Sequence, residues 1–349
     1  MHPEPAPDAG PLVGWVADAR AGLARRHRER FAAAGAHDVA VVSGPPDDVS
    51  FGARLRALVR VDRPSGLVIL GSGAIPLATV RDLRDLVAAA GSVDRVAVAN
   101  NRYSADVVAI AQAWPALADM PDLPSDNALP RWLEEVAEYD VRDLRRRWRL
   151  AIDIDGPLDL VLIAGGADDE AAETGGIDLG RVTSAIDAVR RVAGDRRAEL
   201  LVAGRTSAAT LAWLERSTAA RTRAIVEERG LRTSAAGQRP PVSVLGALLE
   251  RDGPGTLGEQ LARFGDAAIV DSRVLLAHRL GVDESAWPVA EDRFASDLLL
   301  AERIGDPWLR ALTASAAAAP IPILLGGHTL VGPGARLVVG GQPRGLRWR

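Results

Sequence analysis

Two carboxylates two residues apart, Asp153 and Asp155, are the residues best suited by type and spacing to do chemistry. An apolar run at 150–152 precedes them and Pro157 follows. The spacing predicts a strand that ends with both acids on one face, because alternate strand residues project to the same side. Paired carboxylate oxygens at a strand exit suit a divalent ion, magnesium, bound to phosphates. The competing reading is a turn in which Asp155 accepts amide hydrogens ahead of Gly156 and Pro157. Upstream, Gly71, Ser72 and Gly73 end another apolar run, where backbone N–H groups can face an anion or simply turn the chain tightly. Asn100, Asn101, Arg102, Tyr103 and Ser104 form a polar segment bounded by strands, the second of which opens with a further candidate, Asp106. The segment is able to read a base or sugar through hydrogen bonds, or it is plain Asn-Asn turn chemistry.

The second half carries its own candidates. Arg205 stands in Gly204-Arg205-Thr206-Ser207, a strand-to-helix turn that reads either as an anion-binding helix start or as an ordinary Ser207 cap. Asp271 and Arg273 follow a strand, Asp292 and Arg293 open a helix, and His328 sits in Gly326-Gly327-His328-Thr329 after another strand. Strand ends are where α/β sheets place their sites. His328 reads as a general base, a phosphate contact or a surface turn histidine. Metal binding by His278, His328, Asp271 and Asp292 has no supporting local spacing.

What composition excludes narrows the chemistry. Among 349 residues there is no cysteine, so disulfides, thiolate metal sites and cysteine nucleophiles are absent. No lysine occurs either; all 42 basic residues are arginine, which excludes a Schiff-base or Walker lysine. A net charge of −4 and a pI near 5.8 argue against a nucleic-acid-binding surface. No apolar stretch reaches the roughly 18 residues of a membrane span. The first ten residues, with three prolines and two acids, lack the basic and apolar regions of a secretory signal, so the expected location is cytoplasmic and no membrane is expected as a partner.

The elements that must position these residues alternate. Helical spacing covers 12–34, then a strand is expected at 38–43, a helix at 51–59, a strand at 66–70, a helix at 79–90 capped by Thr79, and strands at 95–99 and 106–111. Val-, Ile- and Leu-rich strands between helices predict an α/β sheet with helices on both faces. A first domain is expected over 1–164, an acidic Gly-containing linker over 165–176, and a second α/β domain over 177–349, whose helices and strands alternate in the same way.

Over residues 31–162 the order of motifs resembles the nucleotidyltransferases of GT-A-like fold, the group of molybdenum-cofactor and phospholactate guanylyltransferases. Ala33-Ala34-Gly35 before Val39-Ala40-Val41-Val42 is similar to that family's first helix and strand. Ala74-Ile75-Pro76-Leu77-Ala78-Thr79 occupies the frame of its Asp-x-Pro-Leu-x-Thr motif, and Asp153 to Leu160 its late Asp-x-Asp-Thr-Pro-x-Asp-Leu motif, with Gly156 for threonine. The resemblance implies a three-layer nucleotidyltransferase-like sheet followed by a second α/β region. It also implies that Asp153 and Asp155 hold magnesium and that a nucleotide or other small phosphorylated molecule is bound. Ala74 stands where the family has a metal-binding aspartate, and the family's amino-terminal Gly-rich phosphate loop with its Arg and Lys is missing. Three expectations follow: a rebuilt transferase; a non-catalytic binding or assembly protein keeping the fold; or an enzyme whose site lies in the second half. The sequence sets no oligomeric state.

Overall fold

The computed structural model describes residues 2–340 apart from 46, 48, 166–175 and 232–238. Most of the expected 165–176 linker therefore lies outside the described residues. The chain is α/β and divides into two units, Met1–Asp8 with Ala17–Ile154, and Ala9–Val16 with Asp155–Arg349.

In the first unit the two-residue strands β1 (His2–Pro3) and β2 (Ser43–Gly44) pair with each other. The main sheet comprises β3 (Gly66–Leu70), β4 (Val96–Ala99), β5 (Val107–Ala111) and β6 (Asp140–Asp143), in the order β3-β5-β4-β6. β5 runs antiparallel to both neighbours, and β4 and β6 are parallel. The period of two sorts its apolar residues onto both faces. Val108 and Ile110 join Leu67, Ile69, Ala97 and Ala99 on one side, against helices Phe51–Asp62 and Leu129–Glu135. Val107 and Ala109 join Val68, Leu70 and Val98 on the other, against Phe31 of helix Pro11–Ala33 and Leu83 and Leu86 of helix Val80–Ala90. Thr79 caps that last helix in a full capping box with Asp82, as its sequence signals.

Two expected strands are not formed. Residues 38–42 pair with nothing in the main sheet, and Val41 is 41% exposed, so an apolar run without a neighbouring edge stays irregular. Before Asp153 the chain makes a 3-10 turn, Trp148–Ala151, and only a single antiparallel bridge joins Asp153 to Ala74. Three consecutive apolar residues do not distinguish strand from turn.

His27, on helix Pro11–Ala33, is buried with Nε2 2.9 Å from the Ala74 carbonyl, and burial pushes its imidazole down to about 4, with Arg30 and Arg26 adding repulsion. The unfolded chain takes up that proton near pH 6.5 while the native one resists until about pH 4, so stability contributed by His27 is lost as pH falls across that window. An NMR titration is expected to find His27 neutral at pH 5.5, about 1 unit below the ordinary value for a free imidazole.

The second unit holds an all-parallel sheet of β7 (Glu199–Gly204), β8 (Arg221–Val226), β9 (Ala267–Asp271) and β10 (Ile323–Gly326), ordered β10-β9-β7-β8. β9 and β10 are buried throughout, whereas β8 is an edge strand whose Arg221 and Arg223 reach Glu199 on β7. The order reverses between β7 and β9, the crevice where sheets of this kind bind ligands beyond the strands' carboxyl ends. Ala9–Val16 also belongs to this unit. The Leu12 and Val13 amides donate to the Glu291 carboxylate at 3.0 and 3.1 Å, closing the helix start with a side chain from far along the chain. Among the described residues, no helix is long and apolar enough to cross a membrane.

Candidate functional site

In the first unit the predicted residues are largely committed to holding the fold. Asn100 is 2% exposed and saturated: its amide nitrogen donates to Asp106 Oδ2 at 2.8 Å and to the Leu150 carbonyl at 2.9 Å, and its oxygen accepts from the Asp106 and Val107 amides. Asn101 accepts the Tyr103 amide in a turn. The Arg102 guanidinium pairs with Glu134 and lies over Tyr103, while its amide donates to Asp143. Ser104 is half-buried. Gly73 is packed beneath Asp153: a Cβ there would fall 2.7 Å from Asp153 Oδ1 and 2.8 Å from the Ile154 carbonyl. Ser72 is buried, and Gly71 alone of the three faces open space. Gly71 and Asp106 do come together, lining a cleft of about 340 Å³ with Phe51, Arg54 and Asp126.

The magnesium expectation meets an unfavourable donor set. Asp153 lies in the first unit and Asp155 in the second. Opposite Asp153 stands Ala74, a methyl where a second carboxylate would be needed, and Asp153 Oδ1 already accepts the Ile154 amide at 2.9 Å. A hard divalent ion asks for several oxygen ligands. Among the described residues no group of three or more His, Asp or Glu is arranged to hold a metal.

The second unit gathers charge at the carboxyl edge of its sheet. Arg205, just past β7, makes a two-pronged ion pair with Asp271 at the end of β9, at 2.6 and 3.1 Å, with both side chains buried. Gly204 allows this. Its φ is +123°, which only glycine adopts without strain, and a Cβ there would fall 2.3 Å from Asp271 Cβ. Arg273, two residues on, makes a second such pair with Asp297, 2.6 Å at each prong, and also donates to Ser272 Oγ. Burial works against the Arg273 charge, but Asp297 outweighs it and holds the guanidinium more firmly protonated than a free one. Both guanidinium groups are thus spent on carboxylates.

Next to these pairs lie residues from the Asp-x-Asp segment. Asp159, in helix Pro157–Ala164, is 7% exposed and takes the Asp155 and Gly156 amides on Oδ2 at 2.9 and 2.8 Å. Burial, then the Asp155 and Asp297 charges, push its carboxyl up to about 8 against those two hydrogen bonds, so it is a neutral acid at pH 7. Asp155 is about one-third exposed, with Oδ2 3.6 Å from Nδ1 of His328, which follows β10 and is exposed to the same degree. The Thr206 and Thr329 hydroxyls, one residue past Arg205 and His328, are buried without a hydrogen-bond partner.

Of the six second-half candidates, Arg205, Asp271, Arg273 and His328 fall at strand ends along this edge. Asp292 instead accepts the Gly305 and Asp306 amides, and Arg293 pairs with Glu284 over the Trp287 ring; both hold loops. Missing from the expected site are Asp159 and Asp297. Each is a lone acid inside a mainly apolar run, Leu158 to Ile163 and Phe294 to Leu300, which is the signal that marks a buried carboxylate. Compared with protein-family models, with characterised proteins and with solved structures, the chain matches none.

Proposed function

We propose that the second unit is the working half, an acid–base site for a small polar molecule at the crevice where its sheet order reverses. The observation that carries this reading is the Asp155–His328 pair beside a neutral buried acid, Asp159. A histidine facing a carboxylate can pass a proton to or from a hydroxyl or amine, with the carboxylate setting the ring's orientation. Asp159 fixes the backbone of Asp155 through two amides, making it a positioning residue for the pair. A phosphate would have to displace a buried carboxylate from Arg205 or Arg273, so the chemistry favours a ligand bearing hydrogen-bond donors, an amine or polyol.

The test is calorimetric titration with spermidine, glucosamine and arginine, and separately with GTP, CTP, ATP and UTP, each with and without magnesium. Metal-independent binding of an amine-bearing probe is expected, weakened about tenfold or more in Asp155→Asn and His328→Ala and unchanged in Asp153→Asn. Metal-dependent nucleotide binding that is lost in Asp153→Asn and survives both other substitutions would overturn it. That outcome is what the second reading expects: a diverged nucleotidyltransferase-like first unit binding a nucleotide or phosphorylated small molecule, which the cleft with Phe51, Arg54, Gly71 and Asp106 supports.

A further inference from the structure

A second cavity lies within the second unit, away from the strand ends. It measures about 210 Å³ and is lined by Gly246, Leu249 and Glu250 of helix Val244–Asp252, by Leu275, His278 and Arg279 of helix Ser272–Leu280, and by Trp308 among others. His278 is its polar centre. The side chain is 10% exposed, and Nδ1 accepts the Ser243 amide at 3.1 Å. That bond occupies the Nδ1 lone pair, so the ring proton sits on Nε2. Nε2 is buried and has no hydrogen-bond partner; the Glu250 carboxylate is 3.4 Å away, beside it and not aligned with it.

The cavity is shaped around this ring. A Cβ on Gly246 would fall 2.4 Å from His278 Cδ2, so only glycine lets the imidazole lie flat against the helix. Leu249 and Leu275 are apolar walls, Trp308 adds an aromatic one, and the Arg279 guanidinium lies 5.3 Å over its ring. A fixed N–H donor beside a carboxylate acceptor, set among flat and apolar walls, is the complement of one chemical edge: a carbonyl next to an N–H. We infer that this cavity binds a small planar carboxamide or lactam, whose carbonyl accepts from His278 Nε2 and whose N–H donates to Glu250. The volume, below the usual range for drug-sized ligands, suits a single ring.

The inference is independent of the Asp155–His328 reading and is tested on the full chain with benzamide, nicotinamide and uracil as probes, and benzoate as the control lacking the N–H. Binding in the millimolar range is expected for at least one amide, with shifted His278 ring resonances and an Nε2–H tautomer in nitrogen-coupled NMR spectra. Glu250→Gln, at a largely exposed side chain, should weaken it about tenfold. Gly246→Ala should abolish it by driving the ring into the cavity, and His328→Ala should leave it unchanged. No shift of the His278 resonances with any amide would overturn the proposal. So would benzoate binding as well as benzamide, or full affinity in Glu250→Gln.

Discussion

Replacing Arg273 by methionine is expected to lower the unfolding free energy by about 3–5 kcal/mol, because it leaves the Asp297 carboxylate buried without its hydrogen-bonded ion-pair partner. Asp297 is 3% exposed and takes both prongs of the guanidinium at 2.6 Å, which leaves the Arg293 charge as its other cationic influence. Adding Asp297→Leu should recover most of the loss. A buried pair costs desolvation on both sides, and an apolar pair of similar volume is often as stable. Urea unfolding of the wild type, the two single variants and the double variant forms a complete cycle. If the double variant is as unstable as Arg273→Met, the carboxylate is not what makes the single change costly.

Asp159→Asn should reverse sign with the usual expectation for losing an acid: it stabilises, and more so at higher pH. In the wild type the native carboxyl holds its proton to about pH 8, whereas the unfolded chain releases it near pH 3.8. Native protein therefore binds more protons across that window, and its stability falls as pH rises through it. Asparagine keeps an oxygen for the Asp155 and Gly156 amides and has no proton to lose. The gain over wild type should thus grow by about 2–4 kcal/mol between pH 5 and pH 8, at roughly 1.4 kcal/mol per pKa unit. Denaturant unfolding at the two pH values measures it, and a difference independent of pH would mean that Asp159 ionises normally.

Periodicity carried the layers of both sheets. The runs at 66–70, 107–111 and 267–270 are free of polar side chains because each strand is covered on both faces, and that is visible in the sequence. Spacing failed where pairing, and not propensity, decides: residues 38–42 have β potential and no edge to join, and 150–152 are too few to hold a strand. For the site, strand-end positions such as Arg205, Asp271 and His328 were legible because a parallel sheet presents its loops on one side. Their partnerships were not. The Asp153-x-Asp155 spacing suggested one shared metal, and no local pattern shows that Asp155 also faces His328 or that Asp153 takes the Ile154 amide. The Arg205–Asp271 bond spans 66 residues and depends on which strands become neighbours, information that resides in the fold's strand order and in no local pattern.

The bond from Leu12 to Glu291 has a kinetic consequence. It joins residues 279 apart in sequence, and Ala9–Val16 precedes the rest of the second unit in the chain. Contacts of such high sequence separation are slow to form, since the intervening chain must first be confined. During synthesis the first unit can mature while this short segment waits, its helix start unsatisfied, for the Glu291 carboxylate to emerge. The second unit thereby completes its fold only once Glu291 has emerged, with a contact of long sequence separation to close.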